Sequence, residues 1–221
     1  MTKIIGAVTI GQTPRADVVP ELESFLGPGV RILESGVLDG LSDSQVREIS
    51  KESTGPVLVT RLRDGSEVRV GEEIAIPGMQ ERIRELETQA EVILVLCTGT
   101  FPRLESKKPI LYPELILSSV VRSLGVTRIG VLTPAPEQLP NQLERWRRVA
   151  PEVFVDAASP YGEPEELEMA SERLSRDEVD LVVLDCIGYT QAMKQTVRAR
   201  VNRPVLLARS VLARIAAELI S

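Results

Sequence analysis

The 221-residue sequence predicts an α/β fold of two similar lobes, each a mainly parallel sheet flanked by helices, with a β-hairpin inserted in the first lobe. Three observations carry that prediction. Short apolar blocks of strand length alternate with amphipathic helical stretches, the pattern of a parallel sheet covered on both faces. Two β-rich runs flank Asp64-Gly65, and Asp-Gly between alternating runs is the strongest local hairpin pattern. The chain also repeats itself weakly. Strand, Thr-Pro, helix and later a strand ending in Cys occur once with Thr13-Pro14 and Cys97, and again with Thr133-Pro134 and Cys186. The longer first half is absorbed mostly by the hairpin region.

Each element follows from its local pattern. Ile4 to Ile10 reads as a strand that ends in Gly11-Gln12-Thr13-Pro14. Val18, Val19, Leu22 and Phe25 make the apolar stripe of a helix over 16–25, and Val30 to Leu33 is a second strand. Ser42 is an N-cap for a helix over 42–50. Val57 to Val70 forms the hairpin, and Pro77-Gly78 opens a helix to about Glu87. Glu91 to Leu96 is a buried strand with Cys97 at its end, followed by an irregular loop from Thr98 to Tyr112. Pro113 starts a helix to Leu124. Arg128 to Thr133 is a strand, Pro134-Ala135-Pro136 leads into a helix to Val149, and Val153 to Asp156 is a short strand. A helix over 164–176, a strand over 181–185 ending at Cys186, a helix over 190–200, a strand over 205–208 and a closing helix over 210–220 complete the chain.

Composition removes whole classes of chemistry. Histidine is absent, which excludes Ser-His-Asp and Cys-His hydrolases, His-ligated metal sites and any His general base. Proton transfer would fall to Cys, Asp, Glu, Lys or Tyr. The formal charge of -6 and aromatic content of 3% argue against a nucleic-acid partner. Trp146 among Arg145, Arg147 and Arg148 is read as a helix face half in solvent rather than an RNA contact. No Gly-x-Gly-x-x-Gly or Gly-Lys-Ser/Thr loop is present, and no lysine sits at a strand end in a Schiff-base setting. No cofactor and no metal are therefore expected. No apolar run reaches the ~18 residues of a membrane span, and residues 1–11 lack a signal-peptide pattern. The expectation is a cytoplasmic protein with two reduced thiols.

Ligands of parallel α/β sheets sit beyond the carboxyl ends of the strands. Four polar strand ends qualify: Gly11 to Arg15, Cys97 to Thr100, Thr133 to Pro134, and Asp185 to Thr190. Both cysteines fall in this set. A free cysteine beside an apolar strand commonly just fills space; two at equivalent points of a repeat also fit an acid–base pair of thiols. A helix predicted after Cys186-Ile187-Gly188-Tyr189 would favour a thiolate there. Thr13, Thr98, Thr100 and Thr133, with backbone donors including those of Gly11, Gly99 and Gly188, suit a substrate carboxylate, although turn and cap formation is the commoner use of such residues. Arg15 fits a carboxylate partner or an exposed first-turn arginine. Asp185 fits a strand-end cap or a substrate-ammonium contact, and Tyr189 a hydrogen-bond donor or a wall.

Three stretches carry a family resemblance. They are Val8-Thr9-Ile10-Gly11-Gln12-Thr13-Pro14-Arg15, Val183-Leu184-Asp185-Cys186-Ile187-Gly188-Tyr189, and Pro204-Val205-Leu206-Leu207 through Ala216-Ala217-Glu218-Leu219. Together they resemble the AroM family over nearly the whole chain. The two-lobed pattern is in turn similar to the aspartate/glutamate/hydantoin racemase superfamily. That resemblance implies two lobes facing each other, with Cys97 and Cys186 flanking a small carboxylate or amino-acid derivative in the interlobe cleft. It implies a cofactor-independent racemase or epimerase, with a non-catalytic ligand-binding protein as the alternative and a cysteine redox pair as a third. It further implies a homodimer, and a final strand and helix packed onto the first lobe. The lobes are then 1–112 with 204–221, and 113–203. Where the superfamily commonly carries Asn-Thr and then Thr-Glu or Thr-His after its two cysteines, this chain has Thr98-Gly99 and Ile187-Gly188.

Overall fold

A computed structural model describes residues 2–52 and 57–221; Met1, where the N-terminal stretch begins, lies outside the described residues. The chain divides into two compact units, Met1–Tyr112 with Ala213–Ser221, and Pro113–Leu212.

In the first unit, β1 (Lys3–Thr9) is the central strand, flanked by β2 (Val30–Gly36) and β5 (Val92–Val95), with the short β6 (Ile110–Leu111) at the far edge. All pairings are parallel. Helices α1 (Val19–Leu26), α2 (Asp43–Glu52) and α3 (Glu72–Leu86) follow β1, β2 and the hairpin. The hairpin is β3 (Val57–Arg61) with β4 (Glu67–Gly71), an antiparallel sheet of its own. Its turn carries the predicted residues: Gly65 takes a positive φ of 86°, and Asp64 Oδ1 accepts from the Ser66 N–H at 2.8 Å. Ser42 caps α2, its hydroxyl accepting from Gln45 N–H at 3.4 Å while Gln45 Oε1 accepts from Ser42 N–H at 2.9 Å, the reciprocal box of an N-terminus.

Helix α3 begins at Glu72, not at Pro77. A proline inside a helix forfeits a hydrogen bond and costs ~3 kcal/mol. Ala75, Met79, Ile83 and Leu86 are nevertheless all buried on one stripe. At ~1.5–3 kcal/mol per large apolar side chain, that burial outweighs the proline. The stripe joins Val8, Ile10, Leu38, Ile93 and Val95 in the core of this unit, and the hairpin adds Leu58, Val68 and Val70. The stretch read as an irregular loop over 98–112 contains β6, which extends the sheet by pairing Ile110 with Ile93.

In the second unit, β7 (Arg128–Thr133) is central between β8 (Glu152–Ala157) and β9 (Leu181–Leu184), with β10 (Val205–Leu207) outside β9. Every pairing is again parallel. Helices α4 (Pro113–Leu124), α5 (Leu139–Arg147), α6 (Pro164–Arg176), α7 (Gln191–Val201) and α8 (Ala208–Ile220) intervene or follow, and a short 3₁₀ turn, Pro136–Gln138, precedes α5. The final strand corrects one expectation. It is hydrogen-bonded to β9 in the second sheet, so residues to Leu212 belong to the second unit and only Ala213–Ser221 group with the first. The physical reason is that Val205 and Leu207 bury themselves in the same core as Leu184, Val197 and Leu132. Trp146 is also not half in solvent: it is fully buried.

Both sheets share one order: second strand, first, third, fourth. Their registers superpose the repeat residue by residue. Val8 pairs with Val95 as Leu132 pairs with Leu184, so Thr9 corresponds to Thr133, Leu96 to Asp185, Cys97 to Cys186 and Gly99 to Gly188. The repeat is therefore anchored on Thr9 and Thr133, not on Thr13 and Thr133. Among the described residues, no helix is long and apolar enough to cross a membrane.

Candidate functional site

The carboxyl ends of β1 and β5 carry the first group of predicted residues. Thr9, the last residue of β1, is fully buried. Its hydroxyl oxygen accepts from Gly11 N–H at 3.3 Å and from Arg15 Nη1 at 2.9 Å. Arg15 is not an exposed first-turn arginine but is 3% exposed. Its Nε and Nη2 each reach Asp17 at 2.8 Å, and its backbone N–H donates to Glu34 Oε2 at 2.6 Å. Burial pushes the Glu34 carboxyl above its ordinary range, against the opposing pull of that N–H and the Arg15 charge.

Thr13 is engaged within the fold. Its N–H and hydroxyl donate to the two oxygens of Asp39 at 2.8 and 2.7 Å, and Asp39 also accepts from Gly36 N–H at 2.8 Å. The hydroxyl hydrogen expected to hold a substrate carboxylate is thus directed at Asp39. Gly11 is roofed by the hairpin: a Cβ there would stand 2.5 Å from Thr60 Oγ1 and 2.6 Å from the Arg61 carbonyl oxygen. That side of Gly11 has no space for a ligand.

Cys97 stands two residues beyond β5, half-buried and outside any disulfide. Its Sγ accepts from Gly99 N–H at 3.4 Å. Gly99 has no side chain because Leu58 of the hairpin fills that direction, its Cδ2 lying 2.8 Å from where a Cβ would be. Thr98 is buried and Thr100 is exposed.

The second unit repeats this construction with different supports. Thr133 is fully buried and donates its hydroxyl to Gln138 Oε1 at 2.7 Å, so it too is engaged inside the fold. Cys186 is half-buried and free of any disulfide, and its Sγ accepts from Gly188 N–H at 3.4 Å. The carbonyl oxygens of Ile187 and Gly188 are held by Arg209, through Nε at 2.9 Å and Nη2 at 2.8 Å; Arg209 itself is 1% exposed. A Cβ on Gly188 would meet Tyr161 Oη at 2.6 Å and Pro160 Cγ at 2.8 Å. Thr190 caps the following helix α7, accepting from Met193 N–H at 3.2 Å.

Asp185 and Tyr189 serve the fold rather than an open surface. Asp185 Oδ2 pairs with Arg145 Nη2 and accepts from Trp146 Nε1 at 2.9 Å, an anchor between β9 and α5. Tyr189 is fully buried and donates to the Ala158 carbonyl oxygen at 2.6 Å. Burial pushes its phenol well above the ordinary range, with the charges of Cys186 and Asp185 adding to the effect. Its hydroxyl hydrogen is thus directed at Ala158 within the fold. Glu114 on α4 is also pushed up by burial, opposed by Arg145.

Each cysteine therefore occupies the same place in its sheet and faces a backbone donor two residues on. A hydrogen bond of this kind is stronger to a thiolate than to a thiol. Among the described residues, no group of three His, Cys, Asp or Glu side chains is arranged to hold a metal ion. Sequence reasoning missed Asp39, Tyr161 and Arg209. The first two lie just past the carboxyl ends of the second strands, β2 and β8, where the strand-end rule points as much as at the first and third. Arg209 follows β10 and is reached only through tertiary packing.

A sequence model described as AroM protein matches residues 5–220. Comparison with curated protein sequences returns no match. The fold is similar to that of the maleate isomerase Iso from Pseudomonas putida S16, with a TM-score of 0.67 at 15% identity over 99% of this chain and 92% of that one. It is also similar to an unliganded arylmalonate decarboxylase, with a TM-score of 0.65 at 16% identity over 100% and 93%. The aspartate racemase of Picrophilus torridus aligns with a TM-score of 0.60 at 16% identity over 99% and 93%. These likenesses establish a racemase-like α/β scaffold, and the match along almost the entire sequence establishes that the chain belongs to the AroM family.

Proposed function

We propose that the chain is a cofactor-independent racemase- or epimerase-like enzyme acting on a small carboxylate or amino-acid derivative, with Cys97 and Cys186 as its proton-transfer pair. The observation that carries this reading is the register equivalence of the two thiols. Both sit at the carboxyl end of a third strand, and both accept an N–H from the glycine two residues on at 3.4 Å. Maleate, aspartate and arylmalonate, the compounds named for these three similar structures, are carboxylates, which supports the substrate class. One sulfur, as thiolate, takes the proton from one face of the reacting carbon; the other, as thiol, returns one to the opposite face. The charge moves from one sulfur to the other, so their titrations are coupled. Thr98 and Thr100 serve the carboxylate, since the hydroxyl hydrogens of Thr13 and Thr133 are directed at Asp39 and Gln138. That same engagement, with Asp185 anchored to α5, favours a second reading, a ligand-binding protein without turnover.

The test is a panel of chiral amino acids, hydantoins and 2-substituted acids in D₂O, scored by NMR for Cα deuteration. Cys97→Ser and Cys186→Ser are each expected to abolish racemisation, while one remaining thiol still exchanges the proton of one enantiomer. Near-normal turnover in both serine variants refutes the paired-thiol reading. Protection of both thiols from alkylation by a compound that shows no exchange establishes the binding protein instead.

A further inference from the structure

We propose that Arg209 is a positioning residue for Cys186, its guanidinium holding and polarising the peptide whose N–H donates to the sulfur; this rests on the reading of Cys186 as a proton-transfer thiol. The Ile187 carbonyl and the Gly188 N–H are the two ends of one planar peptide unit. Arg209 Nε donates to that carbonyl oxygen at 2.9 Å, and that N–H donates to Cys186 Sγ at 3.4 Å. Arg209 Nη2 takes the next carbonyl oxygen, that of Gly188, at 2.8 Å. A rigid fork on two consecutive carbonyls fixes the direction of the Gly188 N–H. Hydrogen bonds in series strengthen one another, and a bond from a cation is about twice as strong as one from a neutral donor. The N–H that meets the sulfur is therefore a better donor than an ordinary amide, and a better donor favours thiolate over thiol.

Strand register puts the arginine in this place. Leu207, the last residue of β10, pairs with Leu184, the last of β9. Arg209 and Cys186 each stand two residues further on. Arg209 is 1% exposed. Burying a guanidinium is costly unless it is hydrogen-bonded, and two of its bonds go to this one turn. Arg209 is the second residue of α8, the helix after the fourth strand of its sheet. The second residue of α4, the helix after the fourth strand of the first sheet, is Glu114. The sequence repeat thus does not carry this arginine over to Cys97.

The test uses the full chain carrying Cys97→Ser and follows alkylation of Cys186 by iodoacetamide across pH, read by mass spectrometry. The midpoint of the profile is the readout, because a more basic thiolate is also more nucleophilic and blurs a single rate. Arg209→Met is expected to raise the midpoint by about one pH unit, a roughly tenfold smaller thiolate fraction at neutral pH. Arg209→Lys keeps a cation without the fork and is expected to fall between; where Arg209→Met does not fold, the lysine variant decides. Asp185 with Arg145, Asp156, Tyr161, Tyr189 and Lys194, the charged and titratable groups on the elements beside Cys186, are the same in every variant, so a difference in midpoint comes from residue 209. Loss of a merely structural contact loosens the turn and leaves the midpoint where it was. An unchanged midpoint overturns the assignment. So does an equal rise for Cys97 when Arg209→Met is placed in the Cys186→Ser chain. A Cys186 that iodoacetamide does not reach overturns both this assignment and the proposed function. The expected rise, with no compound deuterated at Cα, leaves Arg209 as the residue that positions the Cys186 turn and removes the racemase.

Discussion

Replacing Asp185 by alanine tests whether this carboxylate anchors the fold or serves a ligand. Its side chain is fully buried and that of Arg145 is 15% exposed. One oxygen meets both the Arg145 guanidinium and the indole N–H of Trp146, the latter at 2.9 Å. Arg145 also lies over the Trp146 ring, 5.1 Å from its centroid. Removing one partner of a buried ion pair costs ~3–5 kcal/mol because the other charge stays behind. Arg145 retains some solvent contact, which argues for the lower half of that range. The stranded indole N–H adds ~1–3 kcal/mol. Asp185→Ala is therefore expected to lower the unfolding free energy by ~4–7 kcal/mol. Asp185→Asn keeps an acceptor for the indole and is expected to cost about half as much. Urea unfolding followed by Trp146 fluorescence measures both, and the double variant with Arg145→Met is expected to cost less than the sum of its parts. A loss below ~1 kcal/mol in Asp185→Ala, or strict additivity, refutes the anchor and returns Asp185 to the ligand-facing residues.

Two further outcomes follow from burial and close approach. Tyr189→Phe removes the bond to Ala158 and is expected to cost ~1–1.5 kcal/mol by the same unfolding assay. Because the folded-state pKa of Tyr189 lies well above 10.0, its contribution is complete below pH ~10 and is lost as the pH rises beyond that, where the unfolded chain ionises first. Absorbance of this phenolate should appear only with unfolding; a native-state titration near pH ~10 that Tyr189→Phe removes would contradict that. Among glycines, Gly11→Ala drives a methyl against the Arg61 carbonyl at 2.6 Å and is expected to cost most, ~1–3 kcal/mol. Gly188→Ala meets a proline ring and a phenol and comes second, and Gly99→Ala meets only a movable leucine methyl and comes last. Thermal midpoints in the reverse order would refute the ranking.

What could be read from the chain was whatever local periodicity and turn chemistry decide. The hairpin was legible because Asp64-Gly65 prescribes its turn, and the strands because each is a short apolar block. The start of α3 was not: Pro77 looks like a helix opening until the stripe from Ala75 to Leu86 is seen to bury as one face. The equivalence of the two sulfurs was legible, and their surroundings were not. Thr13 and Thr133 looked alike in sequence because both precede proline, whereas strand register pairs Thr133 with Thr9. Whether a hydroxyl faces a ligand or another side chain depends on partners far along the chain, such as Asp39 for Thr13, and no window of neighbouring residues contains that information. Tyr189 attracted notice by adjacency to Cys186, while Tyr161, distant in sequence, lies against the Cys186 turn.

The supports of the two cysteine turns also differ in where they lie along the chain. Leu58, which backs Gly99, precedes Cys97 in the chain, so the first turn and its support are both encoded by residue 99. The second turn takes its two carbonyl bonds from Arg209, which lies after Cys186, beyond α7 and β10. The Ile187 and Gly188 carbonyls are thus held from the strand at the edge of the second sheet. The form of the Cys186 turn is tied to the pairing of β10 with β9.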